Sequence, residues 1–372
     1  VNSLLFVSHF WIFTDKLPSC SMSSISSFLE QNFKHFNARE ALDAAKTWVT
    51  FCNNGGKMMV SLAGAMSTAE IGKTLAPLIR AGKVHSISST GANIEEDLFN
   101  LVMNKSYKLQ PEWRYLTMED DLKTRDEGMN RVTDTCIPEN VMLEMHAALR
   151  VLWADAAEKG ESNFHYEYFF KLIRSGFFEG KNDVPMEDSW VVAAEEMDIP
   201  IFTPGMEDST LGNMFCADVM QGKVKSHSAM KSGTELFEHL TNWYNENQKD
   251  HEIGFFQIGG GIAGDFAMCV VPALIQDHEL PCRRWRYFCH IGDATTSYGG
   301  YSGCPPNEKV TWHKLDADTV NFTINSDASI VAPLVFQYVM EKHREETAGA
   351  IVEEKAKEMA GSERSKVNAK IK

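Results

Sequence analysis

The chain has 372 residues, of which 44% are hydrophobic and 23% are charged, so it can bury a large globular core. Its formal net charge of −15 argues against a nucleic-acid backbone or an anionic membrane as the main partner, and suits a cationic small molecule better. The eight cysteines are scattered without metal-ligand spacing, so we expect reduced thiols, a cytoplasmic location and no bound metal.

The first segment holds an apolar run of only about ten residues with no basic lead. It is too short to span a membrane and is a poor match to a signal peptide. Because the chain begins with Val1 and a methionine follows at Met22, we interpret residues 1–21 as a start-site artefact. A short amphipathic region and a helix over residues 38–52 are predicted next.

Two strand–turn–helix units follow. KMMVSLA (57–63) is an apolar strand, and Ser67–Glu70 has the spacing of a capping box that opens a helix. VHSISS (84–89) is the next strand, and Asn93 with Glu96 repeats that spacing at a second helix start. Two such units in succession predict a parallel sheet.

The rest of the chain continues this pattern after a predicted helical region over residues 105–197. Further strands are predicted at 199–205, 253–261, 283–292 and 319–325, and a last helix at 331–346. Each strand runs into a loop rich in Gly, Asp, Ser or Thr. The predicted fold class is therefore α/β, with an open, mostly parallel, Rossmann-like sheet flanked by helices.

Ligands of such a sheet bind outside the carboxyl ends of the strands. Gly259–Gly264 fits G-x-G-x-x-G between a strand and an apolar helix, and with the other small-residue turns it favours a dinucleotide site. Glu96, Asp208 and Asp327 could accept hydrogen bonds from ribose hydroxyls. Helix capping is the alternative role for these three acids.

The stretch Asn307–Ser329 carries the candidate nucleophile. Lys314 directly follows Trp312 and His313, and Glu308 lies nearby in the sequence. An amine between aromatic groups can be desolvated, which lowers its pKa and lets it form a Schiff base with a carbonyl or imine. A surface lysine whose stem packs on the tryptophan is the alternative interpretation.

Six segments in this order resemble deoxyhypusine synthase and its bacterial deoxyhypusine-synthase-like relatives. The resemblance covers most of the chain from about Gly55 to Phe336. The segments are TGANIEEDLFNLV, EGMNRVTDTCIPE, IPIFTPGMEDSTLGNMF, IGGGIAG, EKVTWHK and DASIVAPLVF. The order Trp312, His313, Lys314 looks closer to the bacterial branch, because the eukaryotic enzyme has glycine before the lysine.

The resemblance implies an NAD-dependent transferase. In that family NAD takes hydride from spermidine, and the butylamine group passes to an active-site lysine as an imine. The group then moves to an acceptor amine, and the bound NADH reduces the product. The acceptor is a protein lysine in the eukaryotic enzyme and putrescine in plant homospermidine synthases. The resemblance also implies a homotetramer with sites between paired subunits.

Carried over by position, the family lysine is Lys314. The residues expected to contact the polyamine are Glu95, Glu96, Asn213, Asp265, Tyr301, Ser302, Glu308, Trp312 and His313. The residues expected to contact NAD are Gly64, Ala65, Met66, Ser67, Thr68, Thr90, Gly91, Ala92, Glu96, Asp208, Gly260, Asp293, Ala294, Asp327 and Ala328.

Three amine-contacting positions depart from the eukaryotic pattern. Asn213 replaces an aspartate, Asp265 replaces a histidine and Tyr301 replaces an acid. We infer that the oxidation and imine chemistry survive but that the donor or the acceptor has changed. Asp265 could hold one cationic end of a diamine, although an exposed acid at a helix start is an equal alternative. The loop 297–303 is the candidate for excluding water from the imine.

The sequence thus predicts three parts: an N-terminal extension and arm over residues 1–40, a single NAD-binding α/β catalytic domain over 41–346, and a charged tail over 347–372 that is a frayed helix or disordered. The acceptor stays open between a protein lysine and a free diamine such as putrescine or agmatine. An NAD-dependent dehydrogenase that shares only the fold and a non-catalytic paralogue are the alternative functions.

Overall fold

The computed structural model of the protein describes residues 24–296 and 298–371, with the backbone alone described over 351–371. The interpretation of residues 1–21 and the part of the predicted loop that falls on Ser297 lie outside the described residues. The strands are β1 Lys57–Leu62, β2 Ser86–Ser89, β3 Lys108–Leu109, β4 Met129–Val132, β5 Thr135–Pro138, β6 Ile201–Phe202, β7 Ile253–Ile258, β8 Trp285–Gly292 and β9 Leu315–Asn325. The helices are α1 Ile25–Asn32, α2 Phe36–Asn53, α3 Gly72–Arg80, α4 Gly91–Met103, α5 Met118–Asp126, α6 Glu139–Lys159, α7 His165–Arg174, α8 Trp190–Glu196, α9 Thr210–Met220, α10 Gly233–Asn247, α11 Gly261–Met268, α12 Val270–Pro272, α13 Pro306–Thr311 and α14 Ala328–Ile371.

Six of the strands form one parallel sheet in the order β6-β2-β1-β7-β8-β9. Ranked by position along the chain, this is the order 3-2-1-4-5-6 of a doubly wound dinucleotide-binding fold. The strand order reverses between β1 and β7, and a crevice forms beyond the carboxyl ends of such a pair. The predicted fold class is confirmed.

The sheet is buried on both faces because helices cover each side. All six residues of β7 are buried, as expected for a central parallel strand. The indole of Trp48 on α2 lies 4.8 Å from the ring of Phe256 on β7 and 5.8 Å from Phe336 on α14. These aromatic contacts join two helices to the middle of the sheet.

Two predicted helix starts were wrong. The helix expected at Ser67 begins at Gly72, because Glu70 adopts a left-handed φ of 56° and the buried Ser67 hydroxyl accepts a hydrogen bond from Trp190 Nε1 at 2.9 Å instead of capping a helix. The cap of α4 is Thr90 rather than Asn93, since Thr90 Oγ1 accepts from the Asn93 amide.

The region predicted to be mainly helical also contains a small antiparallel sheet in the order β3-β5-β4, which the sequence analysis missed. The β4–β5 hairpin turns at Thr133, whose φ is 57°, and its strands are only four residues long. Arg131 on β4 pairs with Asp121 on α5, so the hairpin is tied to its neighbouring helix.

Element bounds differ from the predictions at the carboxyl half of the chain. β6 is limited to two residues, and β9 begins earlier than expected, at Leu315. The register of β8 with β9 jumps between Trp285 and Tyr287, so part of β9 bulges out of the sheet. α14 begins at Ala328 and continues to Ile371, past the predicted end at residue 346 and through the predicted tail.

Candidate active site

Lys314 is placed by the connection between β8 and β9. Because the two strands are parallel, the chain must return from the carboxyl edge of the sheet to its amino edge before β9 can begin. It returns through Tyr298–Cys304, which we call the glycine loop, and then through α13. Lys314 therefore directly precedes β9 rather than following a strand end.

The amine of Lys314 is sequestered from solvent. The residue is 8% exposed, and its Nζ donates to Asp265 Oδ1 at 2.6 Å. Asp265 lies on α11, one turn after Gly261, and the ring centroid of Tyr301 is 5.4 Å from the same Nζ. Cys269 Sγ lies 3.7 Å from Asp265 Oδ1, and burial raises the pKa of this thiol, so it stays protonated.

A cleft of about 660 Å³ opens onto Lys314. Its walls carry three carboxylates, from Asp265, Asp277 and Glu308, and the exposed indole of Trp312. Carboxylates and aromatic faces both attract ammonium groups. The arrangement can therefore bind a cationic amine beside the lysine.

The cleft is continuous with a shallower groove of about 360 Å³ that reaches Gly261 at the start of α11. The two share four lining side chains, including Asp265 and Tyr301. Gly261 follows β7 at the carboxyl edge of the sheet. The groove thus connects the ligand edge of the fold with the lysine, although the lysine itself precedes its strand.

Tyr301, which stands where the eukaryotic pattern has an acid, forms a neutral wall of the cleft. Its hydroxyl donates to Gln257 Oε1 on β7 at 2.9 Å. Burial raises the pKa of Tyr301 well above its ordinary value, so the phenol stays uncharged. Since Tyr301 supplies no negative charge, the carboxylate that contacts Lys314 in the described residues is that of Asp265.

A second lysine, Lys309 on α13, lines the same cleft and was missed by the sequence analysis. It is 1% exposed, and its Nζ donates to the Cys304 carbonyl at 3.2 Å and lies 4.3 Å from the ring centroid of Tyr301. Burial lowers the pKa of Lys309. Nothing in the sequence distinguishes it from a solvent-facing lysine, whereas Gln257 was detectable as one amide in an otherwise apolar strand.

The turn after β1 is held by hydrogen bonds from α4. Asn93 Nδ2 donates to the Gly64 carbonyl at 2.9 Å, and the Ser67 amide donates to Asn93 Oδ1 at 3.0 Å. Thr68 Oγ1 donates to Glu96 Oε2 at 2.5 Å, and burial raises the pKa of that carboxyl group. The turn is therefore fixed before any ligand binds, with φ of 62° at Gly64, which favours glycine.

The turn after β7 brings the chain close to the glycine loop. A Cβ atom at Gly260 would overlap Ser302 Oγ, so only glycine fits there without a shift of the loop. Gly260 is the N-cap of α11 and supplies no side-chain cap. Among residues 24–296 and 298–371, no side chain accepts a hydrogen bond from the first amides of α11, which suits an anionic group such as a phosphate.

The structure places the predicted cofactor residues after the carboxyl ends of the six parallel strands. Asp208 and Asp293 are exposed, and Asp327 caps α14 by accepting from the Ser329 amide at 2.8 Å. By strand they are Gly64, Ala65, Met66, Ser67 and Thr68 after β1, Thr90, Gly91 and Ala92 after β2, Asp208 after β6, Gly260 after β7, Asp293 and Ala294 after β8, and Asp327 and Ala328 after β9.

Three predicted substrate residues have other partners. Glu95 is 2% exposed and accepts from the Leu211 amide at the start of α9, and burial raises the pKa of Glu95 to about 7. The Asn213 side chain donates to the Glu207 carbonyl, and His313 Nδ1 lies 3.2 Å from an Arg284 nitrogen. Over residues 24–296 and 298–371, none of these three lines the cleft of Lys314, and neither do the predicted residues Glu96 and Ser302.

In the part of the chain that the structure describes, no helix is long and apolar enough to cross a membrane. The same residues contain no group of three or more His, Cys, Asp or Glu side chains that could hold a metal ion.

The fold and the site define a doubly wound α/β protein whose strand order reverses between β1 and β7, with a sequestered lysine in an acid-lined cleft. The family model described as deoxyhypusine synthase matches residues 29–339. The chain belongs to the deoxyhypusine synthase family, so the resemblance seen in the sequence is confirmed. Family membership supports a transferase that moves an aminobutyl group in general.

Curated relatives agree with this assignment. The chain is 29% identical over 332 residues to a deoxyhypusine synthase-like protein of Nostoc sp., covering 87% of this chain and 83% of the relative. It is 30% identical over 333 residues to the protein of that name from Nostoc punctiforme, covering 87% and 82%. A crystal structure assigned as a deoxyhypusine synthase of Entamoeba histolytica matches with a TM-score of 0.50 at 13% identity, over 84% of this chain and 91% of that one, and this likeness concerns the fold alone.

Proposed function

We propose that this chain transfers an aminobutyl group from a spermidine-like polyamine to an acceptor amine, with NAD as redox cofactor and Lys314 as the covalent carrier. The observation that best supports this proposal is that Lys314 Nζ is largely buried and donates a hydrogen bond to Asp265 inside a cleft with three carboxylates. A merely structural surface lysine does not require such a cavity.

The carboxyl edge of the sheet fits NAD. Gly260 and the uncapped start of α11 would hold the pyrophosphate, and the buried carboxyl of Glu96 would accept from a ribose hydroxyl. When bound, NAD would accept a hydride from the donor amine and return it to the final imine. The groove from Gly261 to Asp265 supports this route between the cofactor end and Lys314.

The chemistry left to the chain is amine exchange. Loss of a hydride and a proton turns the donor R–CH₂–NH–R′ into R–CH=N–R′, and attack by Lys314 Nζ gives R–CH=N–Lys314 with release of H₂N–R′. The acceptor amine then displaces Lys314, and reduction of the new imine balances the first oxidation. Asp265 can take the proton that Lys314 loses before attack, because it is the hydrogen-bond acceptor of that ammonium.

Substitution of Lys314 by Arg is the sharpest test. Arginine keeps the charge beside Asp265 but is not a nucleophile at neutral pH, so NAD binding should persist while transfer is lost. The assay is incubation with NAD, labelled spermidine and putrescine, with products read by mass spectrometry and the lysine imine trapped by borohydride. Lys105→Arg, at an exposed lysine, is the matched control.

Transfer activity in Lys314→Arg equal to that of the wild type would refute the proposal. The same assay separates the dehydrogenase alternative, because a dehydrogenase accumulates NADH with each turnover whereas the transferase recycles it. Replacing putrescine by agmatine or by a lysine-bearing protein identifies the acceptor class.

We also propose that the active protein is a homotetramer with sites completed between paired subunits. Leu109, Tyr115 and Met118 around the small sheet are at least 70% exposed, which a partner surface would explain. Asn213 would meet a substrate from a partner rather than from its own chain. A light-scattering mass equal to one chain would contradict this arrangement.

A further inference from the structure

Lys309 holds the glycine loop at two points. Its Nζ donates to the carbonyl of Cys304 at the end of the loop and lies 4.3 Å from the ring centroid of Tyr301 within it. The ring of Phe288 on β8 lies 5.4 Å from the same Nζ, so the ammonium connects the loop to the sheet. A cation desolvated to this extent needs such partners to offset the loss of water.

The glycine loop in turn touches both ends of the site. The ring of Tyr301 lies beside Lys314 Nζ and its hydroxyl bonds Gln257, and Ser302 packs against Gly260 at the start of α11. A displacement of the loop would therefore open the wall beside the amine and loosen the contact at the cofactor end. Water is the competitor for any imine formed in the cleft.

We propose that Lys309 is a positioning residue of this site, whose buried ammonium fastens the glycine loop against the sheet and so keeps water away from the imine on Lys314. This role rests on the proposed transferase function. The fastening itself exists in the free protein, where it can be measured without substrate.

Hydrogen exchange measures the fastening directly. The amides of Gly303 and Cys304 donate to carbonyls of the same loop at 3.1 Å, so their exchange reports whether the loop is held. In Lys309→Met, which keeps the aliphatic stem, we expect these two amides to exchange about tenfold faster while amides of β7 stay unchanged. Lys309→Gln is a second uncharged variant with the same expectation, and Lys105→Met, at an exposed lysine, is the control.

A double-variant cycle tests whether Lys309 holds the glycine loop through the ring of Tyr301. If it does, Lys309→Met should accelerate exchange of Cys304 less in a Tyr301→Leu background than in the wild type. Unchanged exchange in both Lys309 variants would overturn the proposal. Fully additive effects in the cycle would overturn the part of it that runs through the Tyr301 ring and leave the bond to the Cys304 carbonyl as the fastening contact.

The functional arm uses spermidine, NAD and putrescine. Lys309→Met should raise the ratio of released aminoaldehyde to transferred product about tenfold, because water adds to R–CH=N–Lys314 and returns the free lysine. An unchanged ratio alongside faster exchange would overturn the water-exclusion role. If the wild type makes no product from spermidine, the transferase function fails, and the exchange result still decides whether Lys309 fastens the loop.

Discussion

The close approach of Gly260 to Ser302 gives the most direct test of the cofactor end of the site. A Cβ at Gly260 would overlap Ser302 Oγ and would lie 2.7 Å from the α-carbon of Ser302, so part of the obstacle is backbone. Overpacking of this kind costs about 1 to 3 kcal/mol. We expect Gly260→Ala to lower the free energy of unfolding by that amount, measured by urea denaturation.

The matched control is Gly233→Ala. Gly233 begins α10, and a Cβ there meets no atom of the described residues within 4 Å. Alanine should therefore leave stability unchanged or raise it by up to about 1 kcal/mol through its better helix propensity. The two substitutions are chemically identical, so a difference between them isolates the close approach to the glycine loop.

Adding Ser302→Gly to Gly260→Ala should recover part of the loss. It removes the Ser302 side chain but leaves the overlap with the Ser302 backbone, so we expect a coupling energy of at least about 0.5 kcal/mol. Titration calorimetry should show weaker NAD binding in Gly260→Ala. Each 1.4 kcal/mol of binding free energy lost corresponds to about a tenfold loss of affinity. The reasoning is refuted if Gly260→Ala is as stable as Gly233→Ala, or if the double variant shows no coupling.

Three further substitutions test the surrounding fold. Burial raises the pKa of Asp97 to about 7 from 3.8, so between about pH 4 and pH 7 the native state binds more protons than the unfolded state. The free energy of unfolding should therefore fall as the pH rises through that window. Asp97→Asn should flatten this pH dependence in urea unfolding. Asp218→Ala leaves Arg150 without its buried carboxylate and should lower the free energy of unfolding by about 2 to 3 kcal/mol. Asp155→Ala, at an exposed pair, should lower it by less than about 1 kcal/mol. Equal losses in the two variants would contradict the assignment of Asp218 and Arg150 as a buried pair. Trp190→Phe removes the indole donor to Ser67 and should lower the melting temperature and weaken NAD binding together; loss of only one of them would separate the turn from the cofactor site.

Local sequence pattern was sufficient for the sheet and insufficient for the helix starts. The strands β1 and β7 could be predicted from their apolar runs, because parallel strands are buried on both faces and so consist mainly of apolar residues. The misplaced cap at Ser67 depends on Trp190, which lies more than a hundred residues later and takes the hydroxyl for itself. The spacing of residues near Ser67 cannot indicate a contact with a residue so distant in the sequence.

The candidate site shows the same division. Lys314 was found from its neighbours and from the family motif, and Asp265 was proposed to bind a diamine. In the structure the carboxylate of Asp265 contacts Lys314 and also lines the cleft, so its binding of a diamine stays a prediction. Lys309 escaped notice because its burial comes from Tyr301 and Phe288 on other elements, and the composition of α13 does not reveal which of its faces is covered.

Apart from α11 and the segment after it, the side chains around the amine come largely from the single crossover that joins β8 to β9. The residues that contribute are Tyr301, Glu308, Lys309, Trp312 and Lys314. The turns after β1 and β2 belong to the opposite half of the sheet and do not share this connection. Substitutions confined to residues 298–314 could therefore alter which amine the cleft accepts, while the turns after β1 and β2, where we propose that NAD binds, stay unchanged.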